Sequence, residues 1–153
     1  MSKLTIGDPA PNFTLKAQDD NEYSLGDFQG KPVVLVFYPL DFSPVCTDEH
    51  ACFVNDMARF NELDAQVFGI SVDSVWAHKA FARQMGITYP LLADFHPKGA
   101  VAQAYGTYLA ENGISSRTIF VVDRKGKIAE TYGVDIPEVP EVERVIEAVQ
   151  KLG

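Results

Sequence analysis

Unbroken apolar runs, not alternation, dominate the first half of this chain. PVVLVFY (residues 32–38) is apolar throughout, and QVFGISV (66–72) is broken only by Gly69 and Ser71 after its opening Gln66; both are rich in β-branched side chains. That is the pattern of strands buried on both faces. Each run is followed by a segment of helical period. Over 45–63, Cys46, Glu49, His50, Phe53, Met57 and Phe60 recur at i+3 and i+4 steps, along a stripe that turns apolar toward its C-terminal end. Residues 75–85 read as a second helix, stopped by Gly86. Strand–helix–strand–helix order predicts βαβ units with parallel pairing. The second half turns back on itself: SRTIFVVD (116–123) and KIAETYG (127–133) flank the tight turn RKG, with Gly126 at its left-handed position. A last helix is predicted over 141–152, opened by Pro140. Between the halves, residues 89–106 hold a short strand and a short helix. Near the start, residues 12–30 form a hairpin turned at 19–21. Neither a repeat nor a linker interrupts the pattern, which predicts one α/β domain over residues 1–153.

Composition narrows the partners. With 46% hydrophobic residues in 153, the chain builds a core without disulfide staples. No apolar run approaches the roughly 18 residues of a membrane span, and MSKLTIGDPAPNF lacks the apolar centre of a signal peptide. A cytoplasmic address is expected, where paired cysteines are reactive or metal-binding far more often than structural. A net charge of −8 argues against nucleic acid and against anionic membrane as partners.

Both cysteines lie in FYPLDFSPVCTDEHAC (37–52). Pro44 suits the first turn of a helix, and Ser43 before it suits the N-cap. Cys46 then falls where free N–H groups and the positive end of the helix dipole favour an anion, so a thiol placed there ionises more readily and becomes a nucleophile. Arg117, a charge at the head of an apolar strand, is the candidate cation beside it, since a guanidinium is buried only with an anionic partner. Cys52 lies about 120° around the helix and about 9 Å along it. Its neighbours Asp48, Glu49, Asn55 and Asp56 predict a wet, acidic face and a less nucleophilic thiol. The two sulfurs cannot bond while the helix is intact, because a disulfide needs Cα atoms within roughly 7 Å. Cys46, His50 and Cys52 are three soft ligands with one pointing away, and structural zinc wants four, so no metal is expected. His78 and His96 are expected on the surface or in loops, and Trp76 in a core or surface position in preference to a dimer contact. The glycines of GDFQGKP match no nucleotide-binding pattern, so no cofactor is expected.

These residues resemble a known family. YPLDFSPVC is similar to the peroxiredoxin active-site loop, Pro-x-x-x-Thr/Ser-x-x-Cys, met by Pro39, Ser43 and Cys46, and Arg117 in ISSRTIFVVD matches the family's arginine. IGDPAPNFTL, CTDE and YPLLADFHPKGAVAQAYG resemble the branch of peroxiredoxin Q and the alkyl hydroperoxide reductase E type. The resemblance implies a thioredoxin fold with an N-terminal β-hairpin and a central insertion. It implies that Cys46 is the peroxidatic thiolate, which attacks the terminal oxygen of ROOH, becomes a sulfenic acid and releases ROH. Ser43 and Arg117 would then orient the peroxide and stabilise its leaving oxygen, Pro39 would shield the thiolate, and Glu49 would hold Arg117. Hydroperoxide substrates, hydrogen peroxide and small organic ones, follow, with a thioredoxin-like or other thiol reductant; a homodimer is compatible with the family. Two departures stand out. Position 43 is Ser where Thr is commoner, which frees the hydroxyl rotamer. In peroxiredoxin Q members with C-T-x-E-x-C the resolving cysteine comes five residues after the first; here Cys52 comes six after, with Ala51 in the usual place.

The expected function is therefore a thiol-dependent peroxidase, recycled by Cys52 or by an external thiol. A thioredoxin-type disulfide oxidoreductase would use C-x-x-C, which this chain lacks. A non-catalytic redox sensor or binding module would need a partner that the sequence does not name.

Overall fold

The computed structural model describes residues 4–134 and 141–152. The first apolar run becomes β3 (Val33–Phe37), with every residue buried. The second becomes β4 (Gln66–Ser71), which pairs with it in parallel. Between them runs α1 (Pro44–Glu62), and after β4 comes α2 (Val75–Met85), closed by Gly86 in the left-handed conformation that glycine adopts without strain. β5 (Leu91–Ala93) adds a third parallel strand. On the other side of β3 lie β8 (Arg117–Val122), antiparallel to it, and β9 (Ile128–Val134), antiparallel to β8. The five-stranded sheet therefore runs β5-β4-β3-β8-β9.

The remaining elements also follow the expected order. β1 (Thr14–Lys16) and β2 (Glu22–Ser24) form the N-terminal hairpin. α3 (Ala100–Ala104) and a small hairpin of β6 (Tyr108–Leu109) and β7 (Ile114–Ser115) belong to the segment inserted before β8. That hairpin and a 3-10 turn at Leu25–Phe28 are too short to show a period in the sequence. α4 (Val142–Gln150) is the predicted closing helix, with Glu141 at its N-cap; Pro140 lies outside the described residues. This is the thioredoxin fold with an N-terminal hairpin and a central insertion.

The strand period divides the core. Val34, Val36 and Tyr38 face a cluster that includes Cys46, Phe53 and Phe60 of α1, Phe81 of α2 and Val145 of α4. Val33, Leu35 and Phe37 face the opposite cluster, with Phe13, Phe68, Tyr105 and Phe120. Each such side chain contributes roughly 1.5–3 kcal/mol on leaving water. Register then fixes the site. Phe37 pairs with Thr118, so Arg117 lies one step past the end of β3, where the chain leaves toward α1. Arg117, Ile119 and Val121 alternate toward one face, and the last two belong to the cluster that holds Cys46.

Gly69 in β4 is closely packed on that face. A Cβ there would lie 2.7 Å from Leu91 Cδ2 and 3.3 Å from both His50 Cε1 and Tyr38 Cε1. Gly69→Ala is expected to cost about 1–3 kcal/mol by overpacking. Thermal unfolding checks it, and an unchanged melting temperature would show that the face yields freely.

Candidate active site

Pro44 begins α1, as its fixed φ and missing N–H allow, and Thr47 N–H donates to the Ser43 carbonyl at 2.9 Å to close the first turn. Cys46 sits in that turn and is fully buried. Arg117 is 1% exposed, and its Nη1 donates both to Glu49 Oε1 at 2.7 Å and toward Cys46 Sγ at 3.2 Å. One guanidinium nitrogen thus serves a carboxylate and the sulfur, three residues apart on one face of α1. The anionic partner that a buried arginine requires is Glu49, itself fully buried. Burial pushes the Glu49 carboxyl up to about 7, with the Arg117 charge pulling against it. Its second oxygen has no hydrogen-bond partner among the described residues, so its ionised form is only half satisfied.

The loop over the sulfur is less regular than its sequence suggested. Pro39 is buried at the end of β3, while Leu40 and Phe42 are exposed. Ser43 occupies the N-cap with extended backbone, but its hydroxyl does not cap the helix. It donates instead to the Leu40 carbonyl at 3.1 Å, drawing the loop into a turn. A hydroxyl so engaged still presents its lone pairs as acceptors.

Three further expectations need revision. Cys52 is half-buried and packs on the margin of the same core cluster that contains Cys46. Glu49, counted among its wet neighbours, points into the protein. His78, expected on the surface, is fully buried, with both ring nitrogens in hydrogen bonds. His96 is exposed and so is Trp76, at 78%. His50 is fully buried and pairs through Nδ1 with the Tyr89 hydroxyl. Burial holds its imidazole at about 3 and lifts the Tyr89 phenol well above its ordinary range, so both are neutral at physiological pH. Its ring stands edge-on to Tyr38 with centroids 4.3 Å apart.

The structure therefore brings Cys46, Glu49 and Arg117 into direct contact, places Pro39 and Ser43 in the loop above them, and leaves Cys52 outside. Asp41, which no motif or period marks in the sequence, lies buried in that loop and bonds to His78. The available signal was the α2 stripe of Val75, His78, Phe81, Ala82 and Met85, which puts His78 on the apolar face.

The AhpC/TSA family profile matches residues 6–131. Alkyl hydroperoxide reductase E of Mycobacterium tuberculosis is 43% identical over 126 residues, 82% of each chain. Chloroplastic peroxiredoxin Q of Triticum aestivum is 34% identical over 155 residues, covering 98% of this chain and 69% of that protein. The crystal structure of Enterococcus faecalis AhpC superposes with a TM-score of 0.89 at 30% identity, over 98% of this chain and 92% of the other. Likeness of this extent, in sequence as in backbone, means that the chain belongs to the AhpC/TSA family of peroxiredoxins and is a thiol-dependent peroxidase.

Proposed function

We propose that Cys46 is the peroxidatic cysteine and that hydrogen peroxide and small organic hydroperoxides are its substrates. The observation that carries this is the Arg117 Nη1 donor 3.2 Å from a fully buried Cys46 sulfur. The Cys46 thiolate attacks the terminal oxygen of ROOH in line with the O–O bond. An S–O bond forms, the O–O bond breaks, and its electron pair leaves on RO⁻, which takes a proton to become ROH. The sulfur is oxidised to sulfenic acid while the peroxide is reduced. Charge moves onto the leaving oxygen, and the Arg117 guanidinium and free N–H groups of the α1 first turn stabilise it there. Ser43, its proton committed to the Leu40 carbonyl, accepts a hydrogen bond from the peroxide O–H and helps to align it. Pro39 excludes water from the sulfur, and Glu49 holds the arginine in register.

Recycling proceeds through an external thiol, thioredoxin-like or smaller, in a reducing compartment such as the cytoplasm. The segment between Cys46 and Cys52 carries Glu49 and His50, both fully buried and hydrogen-bonded. Both must leave the core before the two sulfurs can meet. The external thiol attacks the sulfenic sulfur, releases water and leaves a mixed disulfide, which a second thiol reduces. A homodimer is compatible with membership of this family.

Cys46→Ser should abolish peroxide consumption in a single turnover, and retained consumption would remove the whole reading. In the wild type, one equivalent of hydrogen peroxide followed by thiol blocking should give sulfenic or sulfinic acid on Cys46 with Cys52 free. A Cys46–Cys52 disulfide in the peptide masses would instead make Cys52 the resolving thiol.

Glu49 carries a pH signature. Its folded-state value of about 7 lies above the ordinary 4.5, so the folded protein keeps this proton where the unfolded chain has lost it. Its contribution to stability is complete below about 4.5 and declines as pH rises to about 7. Glu49→Gln cannot titrate and removes the decline. In urea unfolding at about pH 5 and about pH 8, the variant should gain on the wild type at the higher pH. A difference that does not move between the two would contradict a raised Glu49.

A further inference from the structure

A buried polar network holds the loop over Cys46, made by residues with no role so far in the reaction. Asp41 is in the middle of that loop, and its side chain is 1% exposed. Its Oδ1 accepts the Tyr38 hydroxyl at 2.6 Å, and its Oδ2 faces His78 Nδ1 at 2.7 Å. Its backbone N–H donates to Asp73 Oδ2 at 2.8 Å, an oxygen that also accepts the Ser71 hydroxyl at 2.6 Å. On the far side of the ring, His78 Nε2 faces the Leu92 carbonyl at 3.1 Å. A carbonyl can only accept, so Nε2 carries a hydrogen. The contact between Nδ1 and Oδ2 then holds one further proton, on whichever atom bears it. The network thus ties the loop to the ends of β3 and β4, to α2 and to β5.

The residue after Asp41 shows what is being held. Phe42 has φ 69°, a backbone region that a bulky L-residue enters only under constraint. Such strain persists where the surroundings over-determine the chain, and it gathers at functional sites. Here Asp41 is pinned on one side, Ser43 starts α1 on the other, and the Phe42 ring packs edge-on against Phe81 of α2 at 5.1 Å. Phe81 is one helical turn past His78, so one face of α2 supplies both grips.

We propose that Asp41 and His78 are positioning residues of the peroxidase: they keep residues 39–43 closed over Cys46, so that Pro39 and Ser43 stand where the peroxide must align. This rests on Cys46 being the reacting thiol. The loop orders the hydroperoxide but is not required by a reagent that merely needs the sulfur. Loss of the clamp therefore slows peroxide and leaves alkylation alone, or speeds it by opening the loop.

The experiment compares two second-order rates at Cys46, with hydrogen peroxide and with iodoacetamide, in the wild type, Asp41→Ala, His78→Phe and Asp41→Asn. Asp41→Ala and His78→Phe should lower the peroxide rate about tenfold or more through misplacement, with no fall in the iodoacetamide rate. Asp41→Asn should stay within about threefold of the wild type, because its carbonyl still accepts Tyr38 and its N–H donates to Nδ1 of a neutral His78. Should the first two variants fail to fold, Tyr38→Phe removes a single bond to Asp41 and should lower the peroxide-to-alkylation ratio by about threefold to tenfold. Equal changes in both rates, an Asn variant as impaired as the Ala variant, or an unmoved ratio in Tyr38→Phe overturns the clamp. Peroxide consumption that survives Cys46→Ser overturns instead the reading of Cys46 on which it rests.

Discussion

One buried cation organises this site. Arg117 is 1% exposed, so its charge is held by the protein and not by bulk water. Its burial is tolerable because Glu49 lies on the facing turn of α1, and the same nitrogen that satisfies the carboxylate reaches the sulfur. The arrangement binds the end of β8 to the start of α1. Remove the arginine and a buried carboxyl loses the guanidinium that faces it; remove Glu49 and the guanidinium loses a buried carboxylate acceptor. On the proposed mechanism, sulfur chemistry and local folding therefore rest on the same contact.

The fold supplies that contact through register and period. β3 ends at Phe37 opposite Thr118, so the chain leaves the sheet beside Arg117 and starts α1 within a few residues. Alternation along β8 turns Arg117 to the helical side, and the helical period turns Cys46 and Glu49 down to meet it. The loop between sheet and helix must then follow a path that β3, α1 and the sulfur jointly impose. Phe42 takes the strain, and the neighbouring hydrogen bonds of Asp41 keep the loop there.

Much of this was legible in the residues. Unbroken apolar runs gave the central strands, because a strand covered on both faces has no polar side to show. Pro44 and the i+3, i+4 stripe placed Cys46 and Glu49 on α1, and a lone charge opening an apolar strand marked Arg117. What the sequence hid depends on elements distant in the chain. The helical neighbours of Cys52 are acidic, whereas its surroundings in space include the margin of the core. His78 carried a burial signal in the α2 stripe, but its partner Asp41 is 37 residues away and in a loop, where no period applies. Ser43 has the right identity for a cap, yet the Leu40 carbonyl competes for its hydroxyl.

The most direct test of the central contact is the second-order rate of Cys46 oxidation by hydrogen peroxide in Arg117→Lys. Lysine keeps the charge but, as a single point donor on a flexible stem, does not hold Glu49 and the sulfur in one rigid geometry. The rate should fall by about 10²–10³, the usual cost of losing one preorganised donor to the developing charge. A variant that reacts within about threefold of the wild type would show that the cation's charge alone suffices and that the shared guanidinium nitrogen is incidental.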